Sequence, residues 1–237
     1  MHPPQAPSFD HPIFSESIRL IRELLRAQAR TDAELARILA ALKSPEGDVL
    51  ERCIHSSGDP ELARLLQFTA GACAAGLAAL RAGAPILTDT AMAAAAVTPM
   101  AGRTFANPVL CALDWAPPRA ALGGTRTAAG LAAALADPQL AGGGPAAVVL
   151  IGSAPTALEE LLRLVAAAAV PAPALVIGMP VGFVGVAASK RRLGASGLAH
   201  IRLEGSKGGA ALVAAACNAL LRAGWLQAAS APSPEPG

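Results

Sequence analysis

The sequence predicts a three-layer α/β protein, in which a mostly parallel sheet has helices on both faces and follows a helical N-terminal segment. Beyond residue 84, short and continuous apolar runs alternate with helical patterns. Such an alternation is typical of a parallel sheet that is buried on both faces. The residues before this point show helical periodicity instead. A chain of 237 residues is long enough to enclose this sheet in one domain.

The N-terminal third of the chain is predicted to be helical. A first helix opens at Pro12, and Ile18, Ile21, Leu24 and Leu25 give it an apolar stripe. Cap residues and helix breakers predict four more helices, at residues 31–42, 44–55, 60–68 and 71–82. In the helix at residues 44–55, the third of the chain, Ser44 is the expected N-cap and a proline follows it.

Five apolar runs are the predicted strands of the sheet. They occupy residues 85–88, 109–113, 146–151, 174–177 and 198–203. The helices between and after them are predicted at residues 90–97 and 125–135, after the turn at 152–156, around Lys190 and Arg191, and from 205 to about 222. We therefore expect a single domain over residues 12–226, with residues 1–11 and 227–237 disordered.

Composition and charge exclude several functional classes. The net charge is +2 and no Lys/Arg stripe with interleaved aromatics occurs, so we expect no nucleic-acid partner. Residues 164–188 carry no charge, but prolines and glycines interrupt them, so we expect no membrane span. The start of the chain lacks the basic-then-apolar pattern of a signal peptide, which favours a cytoplasmic location. Four widely spaced cysteines indicate buried thiols rather than a disulfide or metal framework (Cys53, Cys73, Cys111 and Cys217).

Residues 44–60 are the stretch in which we expect the chemistry. His55 is predicted to lie at the C-terminus of the third helix, where Leu50, Cys53 and Ile54 form the buried face. The negative end of a helix dipole favours the imidazolium form, so we expect a raised pKa of His55 and a role as proton donor. The alternative is a histidine that only caps the last carbonyl groups of its helix.

Turns that follow the predicted strands are the candidate ligand-binding edge, because ligands of open parallel sheets bind beyond the carboxyl ends of the strands. These turns are residues 88–89, 152–156, 178–185 and 205–209. Glycines allow the backbone to approach a ligand, and the free N–H groups of the following helices attract anions. The alternative is that they only connect strand and helix. Known nucleotide-binding, hydrolase-elbow and zinc-binding motifs are missing from the sequence.

Two cations are predicted at helix starts, Arg126 and Lys207. The positive end of a helix dipole disfavours a cation there. A bound anion would explain both residues, whereas the alternative is two exposed charges that cost little.

Several stretches match a known family pattern, in the same order, over residues 12–222. The most specific are Gly-Met-Pro-Val-Gly-Phe-Val-Gly at 178–185 and Ile-His-Ser-Ser-Gly-Asp at 54–59. The others are Pro-Ile at 12–13 with Ser17 and Ile-Arg at 21–22, Ala-Gly-Ala-Pro-Ile-Leu-Thr-Asp at 82–89, Thr-Arg at 125–126, Ala-Pro-Thr-Ala-Leu at 154–158, Ser-Lys at 189–190, Lys-Gly-Gly at 207–209 and Asn-Ala-Leu at 218–220. On these residues the chain resembles the precorrin-8X methylmutase (precorrin isomerase) family of cobalamin biosynthesis.

The resemblance implies a three-layer, usually dimeric α/β isomerase that moves a methyl group of a tetrapyrrole substrate, precorrin-8X or cobalt-precorrin-8, from C11 to C12. The product is then hydrogenobyrinate or cobyrinate. It implies His55 as the proton donor or acceptor, with no cofactor and no metal. The substrate-binding residues carried over, or taken from the candidate turns, are Ser17, Thr88, Asp89, Thr125, Arg126, Gly182, Phe183, Lys207 and Gly208.

The chain departs from the family pattern at four positions, each of which removes or shortens a polar side-chain contact or removes a flexible glycine: Ala96, Ser153, Ala188 and Ala210. An alternative function is therefore a catalytically weak relative that binds a corrinoid or passes it on. A nucleotide-dependent α/β enzyme is disfavoured, because the phosphate-binding motifs are missing.

Overall fold

A six-stranded sheet lies between two helical layers in the computed structural model, which describes residues 9–230. Its strands are β1 (Leu66–Phe68), β2 (Ile86–Thr88), β3 (Val109–Cys111), β4 (Val148–Ile151), β5 (Leu175–Gly178) and β6 (His200–Leu203). Their order across the sheet is β1-β6-β5-β4-β2-β3. All neighbours are parallel except β1, which pairs antiparallel with β6. The predicted three-layer, mostly parallel α/β class is confirmed.

The helices of the described residues alternate with the strands after a helical N-terminal segment, as predicted. They are α1 (Pro12–Ala29), α2 (Ala33–Ala41), α3 (Ser44–Ser57), α4 (Leu62–Leu65), α5 (Ala72–Arg81), α6 (Ala91–Arg103), α7 (Arg126–Ala136), α8 (Pro138–Ala141), α9 (Pro155–Ala166), α10 (Val186–Ala195) and α11 (Ala210–Ala229). A 3-10 turn at Ala112–Trp115 replaces the end of the predicted second strand. The N-cap of α3 is Lys43 rather than Ser44, and its backbone N–H donates to Glu46.

The side chains of each central strand point alternately into two separate hydrophobic cores, one on each face of the sheet. Val148 and Leu150 of β4 face a core shared with α3, α5, α6 and α11, whereas Val149 and Ile151 face a core shared with α7 and α9. Successive side chains of a strand point to opposite faces of the sheet, so a strand between two helical layers has no polar face. This is why the central strands read as continuous apolar runs.

The prediction of a helix at residues 60–68 is wrong beyond residue 65. After the single turn of α4, Leu66, Gln67 and Phe68 form β1 and pair with Leu203, Arg202 and Ile201 of β6. These three residues lack a recognisable strand pattern of their own. Their extended conformation comes from the backbone hydrogen bonds that the edge of β6 offers.

Both ends of the predicted domain extend further than expected. Helix α11 continues to Ala229, and Asp10 pairs with Arg222 of that helix while the carbonyl of Phe9 accepts a hydrogen bond from Arg103. Helix α6 also passes its predicted end at residue 97 and runs through Pro99 to Arg103. The disorder predicted for residues 1–8 and 231–237 lies outside the described residues.

Helix α11 forms the centre of the larger core. It is the one helix of the described residues that is long and apolar enough to cross a membrane, and 67% of its most apolar window is buried inside the fold. The core helix of a globular domain shows the same combination of length, composition and burial. All four cysteines are free and buried, as predicted for thiols that fill core positions.

Candidate active site

His55 and Ser17 meet where α1 packs against α3. The hydroxyl oxygen of Ser17 lies 2.7 Å from Nδ1 of His55. The Phe14 ring, one turn earlier on α1, meets the imidazole edge-on at 5.1 Å between ring centroids. Val49, Leu50, Cys53 and Ile54 are buried on the core side of α3, so the imidazole of His55 lies on the exposed side. The structure thus gives His55 a fixed Nδ1 partner and access to solvent.

The expected rise in the pKa of His55 is wrong in direction. Partial burial of the imidazole lowers its pKa below the ordinary histidine value, and the nearby Arg52 guanidinium lowers it further. Both effects disfavour the imidazolium form, whereas the prediction was based on the helix dipole alone. His55 is therefore mainly neutral at pH 7 in the free protein.

Two of the predicted turns form one joined surface at the carboxyl edge of the sheet. The N–H of Gly182 donates to the carbonyl of Ser206 at 3.1 Å, and the N–H of Gly209 donates to Met179 at 2.9 Å. A Cβ atom on Gly208 would lie 2.0 Å from the carbonyl oxygen of Met179, so only glycine permits this contact. Phe183 projects from the surface with 95% of its area exposed.

Lys207 links this surface to the end of the helix that carries His55. Its Nζ lies 2.6 Å from a carboxylate oxygen of Asp59, which follows the C-cap Gly58 of α3. Asp59 therefore balances the charge of Lys207 in this structure, so the position of Lys207 does not by itself require a bound anion. Lys207 also lies in the loop before α11 rather than in the helix itself.

Asp89 and Thr88 face the protein interior, contrary to their predicted role in substrate binding. One oxygen of the buried Asp89 carboxylate, Oδ2, accepts hydrogen bonds from the N–H groups of Gly152, Ser153 and Ala154, at 3.1, 2.6 and 3.0 Å. The turn at 152–154 was predicted to offer these N–H groups to a ligand. Thr88 is also buried, and its hydroxyl contacts the carbonyls of Thr90 and Leu110.

Thr125 and Arg126 lie at the N-terminus of α7, next to the β4–α9 turn. The Thr125 hydroxyl caps α7 by accepting from Ala128 and lies 2.8 Å from the Thr156 hydroxyl. The exposed Arg126 donates through Nε to the carbonyl of Pro117 at 2.9 Å. Thr125 and Arg126 are thus hydrogen-bonded to neighbouring residues, and no contact among the described residues connects them to His55.

Lys190 supports the Lys207 loop and was missed as a site residue. It is fully buried on α10, and its Nζ donates to the carbonyls of Gly205 at 3.0 Å and Lys207 at 2.5 Å. Burial lowers its pKa to about 8. Sequence alone gives a weak signal for this role, since a lysine in a short helix is usually exposed.

We expect the Lys190→Met variant to lose about 1–2 kcal/mol of unfolding free energy at pH 7, because two loop carbonyls lose their donor. The pKa of Lys190 is lowered in the folded state from 10.5 to about 8, so between these values the unfolded chain binds more protons. Wild type should therefore gain stability relative to the variant as pH rises through this window. Denaturant titrations at pH 7.5 and 10 measure it. Arg191→Met, an exposed neighbour, is the control, and an equal pH dependence of wild type and Lys190→Met would contradict the burial of the amine.

Groups of three or more His, Cys, Asp or Glu side chains able to hold a metal ion do not occur among residues 9–230. At the carboxyl edge of the sheet, the side chains of Thr88, Asp89 and Lys207 are instead bonded to protein groups.

Comparison with known proteins gives consistent matches. A model of the precorrin-8X methylmutase family matches residues 12–223. The precorrin-8X methylmutase of Pseudomonas aeruginosa is 44% identical over 199 residues, which cover 82% of this chain and 90% of the relative. The cobalt-precorrin-8 methylmutase of Synechocystis sp. is 37% identical over 198 residues, 78% of this chain and 88% of the relative. The crystal structure of precorrin-8X methylmutase from Thermus thermophilus superposes with a TM-score of 0.75 at 36% identity, covering 91% of this chain and 96% of that one.

Proposed function

Because the chain belongs to the precorrin-8X methylmutase family and is an isomerase of cobalamin biosynthesis, we propose that it moves the C11 methyl group of its macrocycle to C12 with His55 as the proton donor and acceptor. The substrate is precorrin-8X or cobalt-precorrin-8, and the product is hydrogenobyrinate or cobyrinate. The observation that carries this proposal is the exposed imidazole of His55, held through Nδ1 by Ser17.

The Ser17 contact assigns a role to each ring nitrogen. We propose the tautomer in which the Ser17 hydroxyl donates to Nδ1 of the neutral imidazole, so that the proton is on Nε2, the nitrogen free to reach a substrate. Carboxylates of an approaching macrocycle favour the imidazolium form and offset the lowered pKa of His55. A methyl shift within one molecule consumes no second substrate. The protein therefore has to orient the ring and supply a proton at one position.

The joined turns are the proposed seat of the macrocycle. Phe183 offers an exposed aromatic face for a flat ring, and the backbone at Gly182 and Gly208 permits close approach. Arg126 supplies an exposed positive charge. Ser17 and Thr125 remain proposed polar contacts, whereas Thr88 and Asp89 do not, because both are buried and bonded internally.

We also propose that the enzyme acts as a homodimer in the cytoplasm, without a nucleic-acid or membrane partner. Exposed apolar side chains at this edge, Phe183, Val184 and Met92, support a subunit contact. Four free cysteines support a reducing compartment. The proposal therefore covers the assembly and the location of the enzyme as well as its activity.

Sedimentation of the protein mixed with hydrogenobyrinate, followed at a visible wavelength of the corrin, tests this function. We expect colour to move with the protein at the mass of a dimer, and purified enzyme to convert precorrin-8X. Free colour at the top of the cell together with absent turnover would contradict the proposed function. A coloured monomer that turns over would contradict only the dimer.

A further inference from the structure

Arg52 lies one helical turn before His55 on α3 and shares an aromatic neighbour with it. The Arg52 guanidinium carbon is 4.5 Å from the centroid of the Phe14 ring, and the same ring meets the His55 imidazole at 5.1 Å. A cation over an aromatic face is held in place without its charge being neutralised. Phe14 therefore fixes a guanidinium beside the proposed proton donor.

Arg52 differs from the neighbouring arginines in lacking a carboxylate partner. Arg222, 5.5 Å from the Phe14 centroid, is bonded to Asp10, and Arg22 is bonded to Glu51 at 2.6 Å. Within residues 9–230, Arg52 makes neither an ion pair nor a hydrogen bond, although it is half-buried. Burial and the Arg222 charge lower the pKa of Arg52, and the Asp10 carboxylate, which is bonded to Arg222, offsets only part of this effect.

A cavity of about 170 Å³ opens between α1, α3 and α11, with Phe14, Arg52 and Arg222 on its wall. This volume suits one short carboxylate arm and is too small for a tetrapyrrole ring. Asp10 and Glu51 also line the cavity, but both are already paired with arginines. Asp48, the remaining acid there, has its pKa raised by burial and by Glu51.

We propose that Arg52 binds one carboxylate arm of the substrate and thereby sets the position of the macrocycle relative to His55. The inference rests on the proposed function, because the polyanionic corrin substrate supplies the carboxylate. A guanidinium matches a carboxylate with two parallel hydrogen bonds. The arm would thus give Arg52 a bonded carboxylate partner, which the described residues do not supply, and would anchor the ring beside Nε2 of His55.

Absorbance titration with hydrogenobyrinate and with its methyl ester tests the proposal. We expect Arg52→Gln to raise the Kd for the acid about ten- to hundredfold, and Arg52→Lys to restore part of that affinity. The ester should bind wild type and Arg52→Gln alike, because it lacks the charge that Arg52 recognises. In turnover, kcat/KM should fall by at least the same factor, with part of the loss in kcat, because a ring that Arg52 no longer positions is less well aligned with His55. Arg26→Gln, an exposed arginine elsewhere on α1, is the control.

If wild type and Arg52→Gln bind the acid with equal Kd values and have equal thermal stability, the Arg52 proposal is overturned. The proposed function stands in that case as long as the wild type is active. A wild type that neither binds nor converts the corrin would overturn both. If Arg52→Gln does not fold, Arg52→Lys is the test variant. It should bind the acid several-fold more weakly than wild type and the ester equally well, and any loss of affinity that is the same for both ligands would contradict recognition of the carboxylate.

Discussion

Replacing His55 by alanine is expected to lower kcat for precorrin-8X by about 10²- to 10⁴-fold, the usual contribution of a positioned acid or base. Binding of the corrin product should stay close to that of wild type, because the joined turns at the carboxyl edge are unaffected. Ser17→Ala should cost less, since it removes the partner that orients Nδ1 at 2.7 Å and leaves the imidazole in place. Adding Ser17→Ala to His55→Ala should cost nothing further, because the two residues act as a unit.

Single-turnover kinetics measures the expected loss of kcat, and titration with the corrin product measures the expected retention of affinity. His11→Ala is the control, since His11 caps the start of α1 and is outside the proposed site. The pH profile of kcat/KM should fall as pH rises through the pKa of His55, below the ordinary value of 6.5, because burial and Arg52 lower it. A His55→Ala variant with wild-type kcat would exclude His55 as the proton donor, whatever its affinity for the product.

The central sheet could be predicted from sequence because its signal is local. Strands β2 to β5 are largely apolar runs between helical patterns, and the two central strands β4 and β5 are buried on both faces. Strand β1 could not be predicted in this way. Leu66, Gln67 and Phe68 become extended only through pairing with β6, which lies more than 130 residues away. Pattern reasoning fails where a partner distant in sequence decides the conformation.

The candidate site was predicted in part. The helix-end pattern at 44–60 and the family resemblance both predict His55, the resemblance alone predicts Ser17, and the structure brings the two residues into contact. The sequence also placed polar and charged residues at the correct edge, but it could not show how they pair. Lys207 was expected to be free for an anion, yet Asp59 lies 2.6 Å from it. Lys190 was not among the predicted site residues, yet it is buried and its Nζ donates to carbonyls of the loop at 205–207. The pairing of Lys207 and the burial of Lys190 depend on contacts between segments that are distant in sequence.

Asp89→Ala is expected to lower the free energy of unfolding by about 3–5 kcal/mol, because three N–H donors at a buried turn lose their acceptor. Asp89→Asn should cost about 1 kcal/mol or less. All three donors converge on Oδ2, so the amide oxygen can accept them, and the amide nitrogen can donate to the Thr90 hydroxyl in place of the bond that Oδ1 now accepts. Urea titrations of the two variants give this difference.

The charge of Asp89 supports the same conclusion. Burial raises its pKa above 3.8 despite the three N–H groups, so the folded protein holds this proton more tightly than the unfolded chain. Ionised Asp89 therefore makes stability fall as pH rises from 3.8 through the folded pKa, and Asp89→Asn should lack that fall. If Asp89 were instead a substrate ligand, both substitutions would weaken corrin binding and leave unfolding nearly unchanged. A stable Asp89→Ala variant with weak product binding would thus show that Asp89 and the N–H groups of the 152–154 turn belong to the ligand-binding surface.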